Sequence, residues 1–418
     1  MRSIAALLAL IFAVGVPANC VPAGCSEEKS SDKTGRAVDE LEADAEQIAE
    51  LLQAKASLDW NPELVPETYT VEIVRESELP PERLADALAA KGLLDGNAEL
   101  LRKAAQLATG DPMYWYRVAR LRAWKSEGQA FDDRARRLLE RSLAIDSDYL
   151  PALYSYAISK PTHELQMQAL ARIATLDRDN AKPYYLMAIE EFQAISEDRG
   201  MAAESDGMAY DFSDPEWDRV LSLVSKGNER PAFLATMARV PSVRDIELKA
   251  EGETFSAKRH MFVLQDAVEA SSDIESAPLA IIFGTWARAL ARQAYWQAKR
   301  AFKSGKTDAA LDSLGAVRQF AAKYACSQPR RAVSFLTAKA VRRIVTLQEL
   351  DILQQTGDAD RIQAFERESE AWENAQAQVK KMIDDQLAAR AKEPMPQDTR
   401  VAEESTMEKI LTEAGLLQ

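Results

Sequence analysis

The chain is poor in the residues from which compact active sites and cross-linked folds are built. It holds three cysteines and two histidines in 418 residues. Cys20 and Cys25 fall at the extreme N-terminus, so Cys326 is the single thiol of the body and an internal disulfide there is excluded. Neither His163 nor His260 has a cysteine or a second histidine at ligand spacing, which leaves a zinc centre or a Ser-His-Asp arrangement without support. Glycine is scarce at 16 residues, against a turn-dense all-β fold. The apolar run Ile4–Val16 is 13 residues long, too short to span a bilayer.

What is present is a 47% hydrophobic content dominated by alanine and leucine, enough for a packed helical interior. Arg2, the apolar run and the small-residue exit Val21-Pro22-Ala23-Gly24-Cys25 describe a secretory signal. The last residues resemble a bacterial lipobox, with Ala-Gly before a cysteine that would carry the lipid; Pro22 stands where such boxes usually have leucine. The resemblance implies lipidation at Cys25 and anchoring to a membrane of the cell envelope. Cleavage after Ala18 or Ala23 without lipidation is the rival reading.

Beyond this segment the punctuation is helical. Pro80-Pro81 opens a helix ending at Gly92, Asn97 caps the next, and Asp111-Pro112, Asp132-Asp133, Pro151, Pro161-Thr162 and Pro183 mark further starts. Helices of this length joined by short turns predict stacked antiparallel hairpins. Tyr69, Val71 and Ile73 alternate with polar residues, as do Ile246, Leu248 and Ala250, so these two short strands could pair. Asp214-Pro215 starts a helix through Trp217, a long helix runs from Pro278 to about Lys303, and another follows Thr307. Pro329 opens one with the stripe Val333, Leu336, Ala340, Ile344 and Leu347, and residues 359–391 make a charged helix with the stripe Phe365, Trp372, Ala375, Val379 and Met382. Ser405-Thr406-Met407-Glu408 reads as a capping box starting a terminal helix.

A weak internal period overlies this pattern. Ala144-Ile145-Asp146-Ser147-Asp148 and Tyr154-Ser155-Tyr156-Ala157 recur 31 residues later as Thr175-Leu176-Asp177-Arg178-Asp179 and Tyr185-Leu186-Met187-Ala188. A looser copy ends at Trp115-Tyr116-Arg117-Val118-Ala119, and Ala298, Phe302, Gly305, Ala310, Leu314 and Val317 form another unit. This resembles the tetratricopeptide repeat, with Ala157, Ala188 and Ala298 at its first small position and Ala135 and Ala310 at its second. The end-of-repeat proline is replaced by Ser147 and Arg178. The resemblance implies an all-α, TPR-like array of antiparallel helical hairpins, an α-solenoid with at most a minor β element, that grips partners in a groove. Trp115, Tyr154 and Tyr184 are candidate groove aromatics, although burial in the core is the first reading for such residues.

The expected organisation is a signal at 1–24, a lipid-anchored tether and acidic helix at 25–60, and an N-terminal helical block at 61–200. A connector with an irregular segment follows at 201–275, then a second helical block at 276–391 and a proline linker with a terminal helix at 392–418.

No catalytic constellation, metal site or cofactor motif emerges. Gly305-Lys306-Thr307 echoes a phosphate-binding loop, but Arg300 stands where the motif needs glycine and a helix precedes it. Charge is the sharper signal: between Pro278 and Leu347 thirteen basic residues face two acids, in a chain of net charge −14. Arg330, Arg331, Arg342 and Arg343 could present a surface to an anionic partner, or be neutralised internally by the acid-rich helices after Glu349; the second reading is preferred. The expected function is a non-enzymatic envelope scaffold that binds protein partners and sits on a membrane through its lipid, with no nucleic acid involved. A glycan- or polymer-binding lipoprotein comes second, and a helical-bundle enzyme third.

Overall fold

Side-chain caps decide where the helices begin. In the computed structural model Asn97 Oδ1 accepts from the Glu99 N–H at 3.0 Å, Asp111 Oδ1 from Met113 at 2.9 Å, and Asp132 Oδ1 from Ala135 at 2.7 Å. Thr162 does the same for Leu165, and Glu216 reaches back to the Ser213 N–H at 2.8 Å, completing a capping box. The structure describes residues 48, 50–51, 72–94, 96–125, 132–159, 162–199, 201–204, 207–210, 212–234, 247–250, 253–256, 286–327, 330–390 and 399–417. The signal segment, Cys25, His260 and the proline linker after 391 lie outside these residues.

The chain is all-α with small β elements. The first half contains β1 (Glu72–Ile73), α1 (Pro81–Leu94), α2 (Ala98–Leu107), α3 (Pro112–Lys125), α4 (Asp133–Ile145), α5 (Leu150–Ile158), α6 (His163–Leu176) and α7 (Lys182–Arg199). Then come β2 (Met201–Glu204), β3 (Gly207–Tyr210), α8 (Asp214–Asn228), β4 (Glu247–Ala250), β5 (Glu253–Ser256) and α9 at 286–303. The chain closes with α10 (Thr307–Ala325), α11 (Ala332–Thr356), α12 (Ala359–Arg390) and α13 (Thr399–Glu413). It divides into two compact units, with α7 belonging partly to each: a hairpin unit of Asn61–Glu190 and Ala235–Leu279, and a C-terminal unit of Glu191–Leu234 and Ala280–Gln418 with the described residues before Trp60.

In the hairpin unit successive helices pack in pairs, α1 on α2, α3 on α4 and α5 on α6, with α2 on α3 and α4 on α5 joining the pairs. α4 runs antiparallel to both α3 and α5: Ser142 near the end of α4 donates to the Pro112 carbonyl at the start of α3 (2.7 Å), and Arg136 near the start of α4 donates to the Ser159 carbonyl beyond α5 (3.1 Å). Small residues permit the close approach. Ala119 of α3, Ala135 of α4 and Ala152 of α5 meet in one cluster with Tyr116 and Leu139, all buried. The five alanines at the expected close-contact positions, Ala135, Ala157, Ala188, Ala298 and Ala310, are all buried. The two short strands pair as their alternation suggested, Ile73 opposite Leu248 and Glu72 opposite Lys249, and β5 adds a third strand.

In the C-terminal unit α8 packs on α10, and α10 through α13 each pack on the next. Trp217 of α8 donates its indole N–H to Ser313 of α10 at 3.1 Å. Within the expected connector, residues 201–204 and 207–210 instead pair as β2 and β3, Met201 opposite Tyr210 and Glu204 opposite Gly207. Their alanine, methionine and glycine content gives no strand signal. Gln293 of α9 holds the end of this hairpin, its amide accepting from the Tyr210 N–H and donating to the Tyr210 carbonyl, both at 3.1 Å.

Three further expectations are corrected. The helix from Pro81 runs past Gly92 to Leu94; Gly92 is buried in its last turn, and a Cβ there would stand 2.9 Å from the Asn97 carbonyl oxygen. Glycine serves close packing at this position, not helix termination. On α11 the stripe Val333, Ala340, Ile344 and Leu347 is only half-buried, while Phe335, Leu336, Ala338, Val341 and Val345 are buried, because the helix packs against both α10 and α12. Ser405 starts no helix: α13 is under way by Thr399, and the Thr406 hydroxyl donates back to the Ala402 carbonyl at 2.7 Å.

The two kinds of helical glycine give opposite expectations. Gly315 lies inside α10 with nothing within 4 Å of the space a Cβ would fill. Gly315→Ala is therefore expected to stabilise by about 0.5–1 kcal/mol through helix propensity. Gly92→Ala should destabilise by about 1–3 kcal/mol, because the close carbonyl must move. Thermal melts of the two variants should shift in opposite directions.

Candidate functional site

The hairpin unit carries an open cleft of about 620 Å³ built from three helices. Ala98 and Arg102 come from α2, Val118 and Arg122 from α3, and Arg134, Arg137, Leu138 and Arg141 from α4, with Asp132 at the α4 cap. Positions 134, 137, 138 and 141 follow the i, i+3, i+4, i+7 spacing that places residues on one face of a helix. Arg136 falls off this face and is consumed elsewhere, by Asp133 at 3.3 Å and the Ser159 carbonyl. The floor is apolar: Val118 is buried, and Ala98 and Leu138 are half-buried.

The five guanidinium groups are held differently. Arg122 clasps Asp132 with two nitrogens, the shortest contact being 2.7 Å, and Arg102 pairs with Glu99 one turn back at 3.2 Å. The Arg141 guanidinium lies 5.0 Å from the Trp115 ring centre, a cation–π contact that orients it without neutralising it. Arg134 and Arg137 are exposed and have no ion-pair partner among the described residues. The Arg122 guanidinium, helped by the Ala135 N–H, holds the Asp132 carboxyl down at about 2. Guanidinium stays protonated at any physiological pH, so these five groups can bind an anion by charge-assisted hydrogen bonds.

In the C-terminal unit two of the four arginines of the expected basic surface, Arg330 and Arg342, meet carboxylates of the same unit. Arg342 is buried, 3.3 Å from Glu368, with its guanidinium 5.3 Å from the Trp372 ring and 5.6 Å from that of Phe365. Arg318 reaches Glu368 at 2.5 Å and Glu349 at 3.1 Å, and buried Lys339 reaches Glu373 at 2.7 Å and the Gln376 side chain. Arg330 faces Glu408 of α13 at 3.8 Å, and Arg331 and Arg343 are half-buried. An external anion cannot reach Arg342, so the four arginines do not make one open face. Of the α12 acids expected to neutralise this segment, Glu373 meets Lys339, while Glu366 and Glu370 are exposed and Glu368 takes their place, because the inward face of α12 carries Phe365, Glu368 and Trp372. Burial pushes the Glu349 carboxyl up against the opposing pull of Arg318, and pushes Lys339 and Arg342 down against their glutamates.

Of the expected groove aromatics, Tyr154 is core. It is 1% exposed, donates its hydroxyl to Asp177 Oδ2 at 2.9 Å, and accepts from the Asn180 amide at 3.2 Å. Trp115 and Tyr184 are half-buried, and Trp115 borders the arginine cleft through Arg141. His163 is an exposed first-turn residue of α6. The Cys326 thiol contacts the Leu416 carbonyl at 3.4 Å, and burial pushes it up, the wrong direction for a nucleophile. Among the described residues no cluster of histidine, cysteine and acidic side chains could hold a metal, and no helix is long and apolar enough to cross a membrane. Sequence reading had missed the cleft, although the arginine spacing on α4 was visible. No protein-family model and no curated protein matches the chain.

Two measurements check this geometry. Because its folded pKa lies below the ordinary carboxylate value, Asp132 adds stability that is complete above about pH 5 and lost as pH falls toward about 2. Arg122→Ala should raise the Asp132 pKa, read by carbon-detected NMR titration, since the guanidinium is the largest cause of its depression. Glu368→Gln should destabilise by about 1–3 kcal/mol in chemical denaturation, since buried Arg342 loses its carboxylate. Glu366→Gln on the exposed side should stay within about 0.5 kcal/mol.

Proposed function

We propose that the chain is a non-enzymatic scaffold of the bacterial cell envelope that binds a protein partner through TPR-like helical hairpins. It is exported by residues 1–24 and held to a membrane by a lipid at Cys25. The observation that carries the binding role is the arginine-lined cleft, in which Arg134 and Arg137 are exposed without ion-pair partners among the described residues. A guanidinium-lined cleft supports recognition of an anion rather than catalysis. The address is supported by Arg2, the apolar run to Val16 and the Ala23-Gly24-Cys25 exit.

The wild-type protein is expected in the membrane fraction, resistant to salt and released by detergent, while Cys25→Ala moves to the soluble envelope fraction. A wild type already in the soluble fraction would remove the anchor. Photo-crosslinkers placed at exposed positions of α2, α4 and α6 in intact cells should trap one or a few defined protein adducts; absence of an adduct at every position would remove the scaffold role.

A further inference from the structure

The geometry points to an acidic peptide segment, with carboxylates along one face and an apolar side chain between them, as the ligand of the α2–α3–α4 cleft; this inference rests on the scaffold reading. The carboxylate specificity follows from the guanidinium fork, which matches a planar carboxylate with two parallel hydrogen bonds. The spacing follows from α4. Arg134, Arg137 and Arg141 are separated by three and four residues, about 4.5 and 6 Å along a helix axis at 1.5 Å per residue. Acids at i, i+3 and i+7 of a second helix laid alongside repeat that ladder, each facing one guanidinium. Between the arginines Leu138 offers an apolar contact at the i+4 position, and Val118 floors the cleft from α3. A ligand with acids at i, i+3 and i+7 and leucine at i+4 is thus complementary in charge and in apolarity.

The size and the surrounding field also favour a short peptide over an extended polyanion. A cleft of about 620 Å³ is in the range of ligand pockets and takes the side chains of one helix face. The whole chain carries −14, which disfavours a long polyanion such as nucleic acid. A short peptide experiences chiefly the charges within a Debye length of about 8 Å, where the arginines dominate. Asp132 does not oppose it, since its charge is already matched by Arg122.

The lining comes from α2 and α4, the second helices of consecutive hairpins, with Val118 and Arg122 of α3 between them. The site therefore exists only when two hairpins are stacked. Arg141 is held toward the cleft by Trp115 of α3.

The test uses the protein without its first 25 residues, a labelled helical peptide with glutamate at i, i+3 and i+7 and leucine at i+4, and the same peptide with glutamine for glutamate. Fluorescence anisotropy should show saturable binding of the glutamate peptide, at least tenfold weaker for the glutamine peptide, and at least tenfold weaker between 50 and 500 mM salt by screening, as is roughly expected of exposed charges. The R134Q/R137Q double variant should lose at least tenfold in affinity with an unchanged melting temperature, since neither side chain supports the fold. R361Q, a change of an exposed arginine on α12 that is paired with Asp358, should bind like the wild type. Equal binding by R134Q/R137Q, or no binding of the glutamate peptide, would overturn the proposal. Binding of phosphatidylglycerol vesicles or inorganic phosphate in place of the peptide would overturn it too, by assigning the cleft another anion. If the peptide fails while crosslinking in cells still traps a partner on α6, this inference falls and the scaffold reading stands; if the peptide binds and no partner is trapped anywhere, the reverse holds.

Discussion

The spacing between paired helices is the constraint on which the rest of the hairpin unit depends. A two-helix hairpin exposes more apolar surface than it covers, so it is stable only when a neighbour stacks on it. Stacking at short distance requires small side chains where the backbones approach, and Ala119, Ala135 and Ala152 occupy that place in one continuous cluster. Gly92 is the extreme case, with no room for a methyl group beside the Asn97 carbonyl. Large residues then fill what remains: Tyr114, Tyr116 and Tyr154 are all buried, two of them with hydroxyls bonded to carboxylates, Tyr114 to Asp86 at 2.7 Å and Tyr154 to Asp177. With the inward faces so occupied, the long cationic side chains of α4 have only the outward face, and the cleft follows.

Arginine has two fates in this protein, and local packing chooses between them. On α10 and α11 the helices are covered on more than one side, so their cations are drawn into the interior and must be met by carboxylates from α12. Removing charge from water is unfavourable, and only close partners and aromatic faces make it tolerable. On α4 one face of the helix stays open, and the same residue type remains hydrated and available at Arg134 and Arg137.

Much of the fold could be read from residues that act locally. Prolines, Asn97, Asp132 and Thr162 mark helix starts because capping is decided within one turn, and the stripe of α12 is legible because Phe365, Trp372, Ala375 and Val379 repeat at helical spacing. The pairing of Ile73 with Leu248 was also visible, since both segments alternate. What escaped were features decided by distant parts of the chain. The β2–β3 hairpin is steadied by Gln293, more than 80 residues away, and its own composition is not strand-like. Glu368, not Glu366 or Glu370, meets the arginines because the rotation of α12 about its axis is set by Trp372 stacking on Phe335 at 5.3 Å. The cleft combines a periodic arginine face, which the sequence displays, with Arg102 and Arg122 from two other helices, which it does not.

The charged contacts between α11 and α12 also fix how far one helix can slide along the other. These helices are 25 and 32 residues long, and apolar seams of that length admit neighbouring alignments one turn apart at little loss of buried area. A slip of about 5.4 Å would carry Glu368 away from both Arg318 and Arg342, and Glu373 away from Lys339, leaving buried cations without counter-charge. The alternative alignments are penalised far more than the native one is rewarded. Ionic contacts that add little to net stability therefore act as register pins, which uniform leucine seams could not provide.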